Sequence, residues 1–205
     1  MAAVEFLFRM LFIFFFSLVL LIRFYFGFRL RKEGKSSWKV DNEAVEREGP
    51  GIIMLRLAGF LLLMGFFLLY LVNPGWFRFL HLPFPAWVRI IGILLALPSI
   101  ALLYWTHSTL GKYWSTNLTV QEKHHLVTEG PYNYIRHPMY TALVGYFFGA
   151  GLLAANILLL IIFVGGAVFL FTRIAKEELM MVEAFGEEYL EYQKHTGQLL
   201  PKLRR

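Results

Sequence analysis

From Thr141 to Thr172 the chain carries no charged residue, an uninterrupted run of 32 positions. As one straight helix that run would measure about 48 Å, against a bilayer hydrocarbon core of roughly 30 Å. The length predicts a helical hairpin over 141–172, turning near Ala154-Ala155-Asn156, with each arm slightly short for the membrane. Gly145 and Gly149, four residues apart, permit close helix contact within it. The rest of the composition agrees. The 205 residues are 58% hydrophobic and 18% aromatic with only 17% charged, more apolar surface than one soluble core of this size can hide. The bilayer is therefore the solvent.

Zero cysteines exclude disulfides, thiolate metal sites and cysteine nucleophiles. The formal charge of +6 sits beside apolar runs and not on a separable polar domain, which reads as membrane flanks and not as a nucleic-acid surface. Residues 1–50 read as a first transmembrane helix and a cytosolic linker. The apolar run Met10 to Ile22 is flanked by Arg9 and Arg23, lacks a small-residue cleavage site after it, and reaches spanning length because Glu5 and Arg9 can extend to the interface. The linker is basic from Arg29 to Lys39 and acidic at Glu43, Glu46 and Glu48.

Residues 51–107 hold a second helix, about Ile52 to Val72, stopped by Asn73-Pro74-Gly75, and a third, Arg89 to His107, which Pro98 is expected to kink. Trp76 to Trp87 between them reads as an interfacial loop. Residues 108–205 hold a polar linker, the hairpin, and an amphipathic helix after Arg173. In that helix Glu177, Glu178, Glu183, Glu187, Glu188 and Glu191 interleave with Leu179, Val182, Phe185 and Tyr189, and it ends before Pro201. The expected fold is thus all-α integral membrane: about five transmembrane helices, a hairpin over 141–172 and a cytosolic C-terminal amphipathic helix. With five spans, the segments richest in Lys and Arg share one side, which the positive-inside rule makes cytosolic.

The polar stretch Gln121 to Tyr140 lies on that side. Polar chemistry wedged between membrane spans is a functional candidate. His124, His125 and His137 raise metal binding, but adjacent His124 and His125 point apart and no thiolate is present, so no metal site is expected. His137, between Arg136 and Pro138 at a helix start, reads as a binding residue. Tyr132, Tyr134 and Tyr140 read either as interface aromatics or as faces for a flat purine or a sulfonium. Arg173 and Glu177 could form an i, i+4 helix pair, while Glu177 and Glu178, about 100° apart, cannot share one partner face-on. No glycine-rich dinucleotide fingerprint, phosphate loop or serine elbow is present, so a nucleotide-like cofactor would have to sit among membrane helices.

These residues resemble the isoprenylcysteine carboxyl methyltransferase family, within the wider group that includes phospholipid N-methyltransferases. The matching elements are Gln121, His125-Leu126-Val127-Thr128, Gly130 with Tyr132, Arg136-His137-Pro138 with Tyr140, Arg173-Ile174 with Glu177-Glu178-Leu179, Phe185-Gly186 with Tyr189 and Tyr192, and Pro201. The resemblance covers roughly the C-terminal half and implies a small bundle holding S-adenosylmethionine in a cytosol-facing pocket. By it, Gln121, His125, Leu126, Val127, Tyr132, His137, Tyr140 and Glu178 line the cofactor pocket, while Arg173 and Glu177 lie nearer the transferred methyl. Met139 and Thr141-Ala142 depart from the eukaryotic prenylcysteine pattern, which bears on the substrate and not on methyl transfer.

The expected activity is methyl transfer from S-adenosylmethionine to the carboxylate of a lipid-like acceptor entering from the bilayer, with membrane lipids as the other partners and no nucleic acid. The alternatives are phospholipid N-methylation, an NADPH-dependent sterol-reductase-like reaction, and a non-enzymatic membrane scaffold.

Overall fold

The computed structural model of the protein describes residues 2–32, 45, 49–72, 75, 79–111 and 126–202. Its helices are α1 (Ala2–Lys32), α2 (Pro50–Val72), α3 (Ala86–Leu110), α4 (Pro138–Ala154), α5 (Ile157–Phe185) and α6 (Glu187–His195), with a short 3-10 turn at Gly130–Asn133 before α4. Among the described residues, α1, α2, α3 and α5 are long and apolar enough to cross a membrane. The fifth apolar helix, α4, has only 17 residues, about 26 Å of rise. It is nevertheless the centre of the bundle, with Tyr146, Ala150, Leu153 and Ala154 buried.

The uncharged run does fold back where expected. Ala155 adopts a left-handed conformation, φ 48° and ψ 44°, and Asn156 caps α5 by accepting from the backbone N–H groups of Leu158 and Leu159 at 3.1 and 3.2 Å. That satisfies two of the otherwise orphan donors at the start of a membrane helix. Leu82 N–H donates to the Ala155 carbonyl at 2.7 Å, so the loop before α3 covers the turn.

Two expectations change. Gly145 and Gly149 bring α4 against α3 and not against its hairpin partner. A Cβ added at Gly149 would stand 2.7 Å from both Ala96 N and Gly92 O, and one at Gly92 would stand 2.6 Å from Gly149 O. The two backbones touch because neither side has a side chain to keep them apart. The hairpin itself is packed by larger groups, with Phe147 stacked on Phe163 at 5.1 Å and 4°. Second, α5 does not end at Thr172. α5 runs on through the charged segment to Phe185, and the chain bends only at Gly186, whose φ of 53° suits glycine. The amphipathic expectation therefore splits between the end of α5 and α6.

The end of the bundle opposite Arg136 is tied together by two arginines. Arg89, buried, donates through Nε to the Leu153 carbonyl at 3.0 Å and through a terminal nitrogen to Glu5 at 2.6 Å, and its guanidinium lies 4.2 Å from the Phe8 ring centroid. Arg9 donates to the Leu71 carbonyl at 3.1 Å, at the last turn of α2. Each guanidinium thus meets helix-end carbonyls that have no partner within their own helix. Aromatic pairs extend the α1–α2 contact inward, Phe12 edge-on to Tyr70 at 5.5 Å and Phe16 stacked on Phe67 at 4.2 Å. Arg23, read as the flank of the first apolar run, instead lies inside α1, which continues to Lys32.

Gly149→Ala is expected to destabilise the bundle by about 1–3 kcal/mol, because the α3 backbone has nowhere to go. Gly165→Ala, which would place its Cβ in open space, should stay within about 0.5 kcal/mol of wild type. Unfolding midpoints in detergent compare the two.

Candidate active site

His137 occupies the N-cap position of α4 with φ −121° and ψ 58°, and Pro138 follows at the first helical position, where its missing N–H is no loss. The preceding turn is seated by Gly130 at φ 57°, where an added Cβ would meet Thr109 Oγ1 at 2.6 Å on the last turn of α3. Local sequence thus fixes where the Tyr132–Tyr140 segment sits, and α5 passes beside it.

Two carboxylates from α5 meet this segment on separate partners. Glu178 accepts from Arg136 Nε at 2.9 Å, lies 3.2 Å from His137 Nε2, and accepts from Gln193 Nε2 at 3.3 Å. A carboxylate bound to a guanidinium is acceptor-only, so Nε2 of His137 carries the proton in that contact. Glu177 accepts from the Tyr140 hydroxyl at 2.6 Å, with His137 Nδ1 3.9 Å away. The His137 ring stacks on Tyr140 at 5.6 Å and 12°. One imidazole therefore stands between two carboxylates that their helix angle keeps apart. Glu178 is mostly enclosed at 18% side-chain exposure, whereas Glu177 is more open at 30%.

Arg173 lies one turn before Glu177 and is buried in the same helix. Leu126 is buried and Val127 half-buried. Burial first, then the charges of Glu177, Tyr192 and Tyr140, holds the Tyr132 phenol well above its ordinary range, so Tyr132 is a neutral group within reach of Glu177. Gln121 and His125, with His124, lie outside the described residues. The structure therefore brings Tyr132, His137, Tyr140, Glu177 and Glu178 together.

Sequence reasoning missed how much of this is held from behind. Arg136 also donates to the carbonyls of Thr196 at 2.6 Å and Gln193 at 3.3 Å, filling acceptors at the end of α6. The segment after α6 then runs alongside the site: Arg136 N–H donates to Gly197 O at 2.8 Å, His137 N–H to Gln198 O at 3.0 Å, Gly197 N–H to Tyr134 O at 3.1 Å, and Thr141 Oγ1 to Leu199 O at 2.6 Å. Tyr192, whose phenol burial pushes up to about 12, donates to the Tyr132 carbonyl at 2.5 Å. Arg136 stood within the quoted Arg136-His137-Pro138 motif, but nothing in the composition of 196–199 signals a strap.

Residues 90–183 match the model of the isoprenylcysteine carboxyl methyltransferase (ICMT) family, from the first turns of α3 to near the end of α5. The chain is 34% identical over 122 residues to the protein-S-isoprenylcysteine O-methyltransferase of Xenopus laevis, covering 56% of this chain and 41% of that one. It is 37% identical over 82 residues to the Saccharomyces cerevisiae protein of the same name, covering 40% and 34%. An uncharacterized Bacillus subtilis protein, YpbQ, is 30% identical over 100 residues, covering 48% and 52%. The chain thus spans about half, or less, of the length of the curated relatives it matches. The solved structure of the eukaryotic intramembrane Ras methyltransferase ICMT superposes with a TM-score of 0.59 at 21% identity, over 92% of this chain and 66% of that one, a likeness of fold. The family resemblance carried by the motifs and the all-α membrane fold are both borne out, and the chain is an integral, multi-pass membrane protein.

Arg136→Ala removes the partner of Glu178 and of two backbone carbonyls, and is expected to cost about 2–3 kcal/mol. Hydrogen exchange should quicken over residues 196–200 before it quickens in α3 or α4, which is measurable by mass spectrometry in detergent.

Proposed function

We propose that this chain, which resembles the isoprenylcysteine carboxyl methyltransferase family from α3 through α5, is a membrane methyltransferase that uses S-adenosylmethionine to methylate the carboxylate of a lipid-like acceptor. The observation that carries the reading is the junction of two distant motifs, Arg136-His137-Pro138 with Tyr140 and Arg173 with Glu177-Glu178, through the contacts of His137, Tyr140 and Arg136.

The residues fit the cofactor's chemistry. Its amino-acid end carries an ammonium beside a cationic sulfur, and the site offers the partly open carboxylate of Glu177 for that positive charge. Its adenine suits the Tyr132 and Tyr140 rings and the apolar Leu126 and Val127. Gln121 and His125 join the same pocket by resemblance. Glu178, held by Arg136, His137 and Gln193, faces the cofactor side as a fixed negative charge.

S-adenosylmethionine supplies, when bound, a methyl group on a sulfur that leaves neutral. The protein's task is then alignment and exclusion of water. A carboxylate acceptor is ionised at neutral pH, so no side chain has to take a proton from it. Arg173 holds that carboxylate, and Tyr140 fixes Glu177 through its 2.6 Å hydrogen bond. The basic residues at the end of α1, Arg29, Arg31 and Lys32, support a cytosolic reading of this face by the positive-inside rule.

Radiolabelled S-adenosylmethionine should bind purified protein, with Glu178→Gln and His137→Ala weakening binding by about tenfold or more. Equal binding by wild type and both variants would remove these residues from the site. With a lipid extract as acceptor, the transferred label should be base-labile, as an ester is. A base-stable label would indicate an amine acceptor, for which Glu177 must take a proton. Thermal stabilisation by NADPH and not by S-adenosylhomocysteine would indicate the reductase chemistry.

A further inference from the structure

The family match ends at residue 183, and the strap that follows α6 lies beyond it. The strap meets the candidate site through main-chain carbonyls. Those of Gly197 and Gln198 accept from the backbone N–H groups of Arg136 and His137 at 2.8 and 3.0 Å. His137 depends on such partners. Its φ of −121° and ψ of 58° belong to neither helix nor strand, so no regular ladder fixes its N–H, and its imidazole moves with the backbone that carries it.

One side chain of α4 clamps the strap. Thr141, in the first turn of the helix, has its hydroxyl 2.6 Å from the Leu199 carbonyl and 3.2 Å from the His137 carbonyl. A hydroxyl has one proton to give, and the shorter contact takes it. The His137 carbonyl still has its helical partner, the Thr141 backbone N–H at 3.1 Å. Thr141 therefore grips His137 through its main chain and Leu199, the residue after Gln198, through its side chain. On the other side of Gln198 the strap is shaped by Gly197, where an added Cβ would run into the Leu200 carbonyl. The Gln198 carbonyl is thus held from both sides against the His137 N–H. The ring carried by that backbone stands with Nε2 3.2 Å from Glu178 and stacks on Tyr140 at 5.6 Å. A shift of the strap moves the imidazole against Glu178 while every side chain of the site stays in the protein.

We propose that Thr141 is a positioning residue of the candidate site: by clamping the strap at Leu199 it keeps the Gln198 carbonyl on the His137 N–H and so sets the imidazole against Glu178. It acts through His137 and not on the cofactor or the acceptor. The inference rests on the function proposed above and deepens it, since it makes affinity for S-adenosylmethionine depend on the chain after α6.

The test uses full-length protein in phosphatidylcholine nanodiscs, isotope-labelled at the histidine ring nitrogens, with the His137 resonances identified by their loss in His137→Ala. At about pH 8, above the ordinary titration range of imidazole, wild type should show one tautomer, protonated at Nε2. Thr141→Val keeps the shape of the side chain and removes its hydroxyl. It should bring in the second tautomer and weaken S-adenosylmethionine binding about tenfold or more. Gly197→Ala, which displaces the strap from its other side, should do the same. Thr141→Ser should restore both readouts, and Thr172→Val, which removes a hydroxyl bonded to Phe169 within α5, should change neither. The wild-type tautomer and wild-type cofactor affinity in both Thr141→Val and Gly197→Ala, with hydrogen exchange at 196–200 raised, overturn the inference and leave the strap a structural brace. Weakened binding in Thr141→Val with the His137 resonances unchanged also overturns it, since the effect then bypasses the imidazole. A tautomer shift in both variants of a wild type that does not bind S-adenosylmethionine would count against the proposed reaction and leave the positioning role standing.

Discussion

Everything on the candidate-site face depends on α5 returning alongside α4, and that return depends on a turn of two residues. A membrane interior offers no water to satisfy exposed backbone, so a chain can reverse there only where protein covers the reversal. Ala155 takes the left-handed conformation and Asn156 supplies the acceptor for two free N–H groups. Loop 79–85 closes over both, and Arg89 fills the carbonyl that α4 leaves open at Leu153. With α4 only 17 residues long, its start is delivered directly opposite Glu177 and Glu178.

Much of this was legible in the sequence because it follows from length and charge. An uncharged run too long for one span demands a reversal, and Asn156 was the polar residue available to cap it. The helix bounds at Val72 and the pairing of the two motif clusters followed from stop signals and from the family resemblance. The partner of Gly145 and Gly149 was not legible, since small residues declare that something approaches closely and not what approaches. That α3 supplies it depends on Gly92, which faces Gly149 only in three dimensions. Likewise the charged residues after Arg173 suggested a break, but Lys176 and the glutamates are good helix formers and nothing stops α5 before Gly186.

The site's electrostatics are asymmetric. Glu178 is committed within the protein, to Arg136, His137 and Gln193, and Glu177 has one phenol and an open side. Adjacent residues on one helix thus divide into a fixed charge and an available one, which single-residue reading of the Glu177-Glu178 pair could not separate. The His137 imidazole lies between them, with Nε2 3.2 Å from Glu178 and Nδ1 3.9 Å from Glu177.

The strap formed by 196–199 gives the molecule a temporal order. Chains are synthesised from the N-terminus, so the residues of all five apolar helices are made before Thr196 and Gly197 exist to receive Arg136. During that interval the Arg136–His137 segment has neither its carbonyl partners nor its backbone pairing. The ribosome must therefore extend the chain past residue 199 before the two motifs can be locked in register.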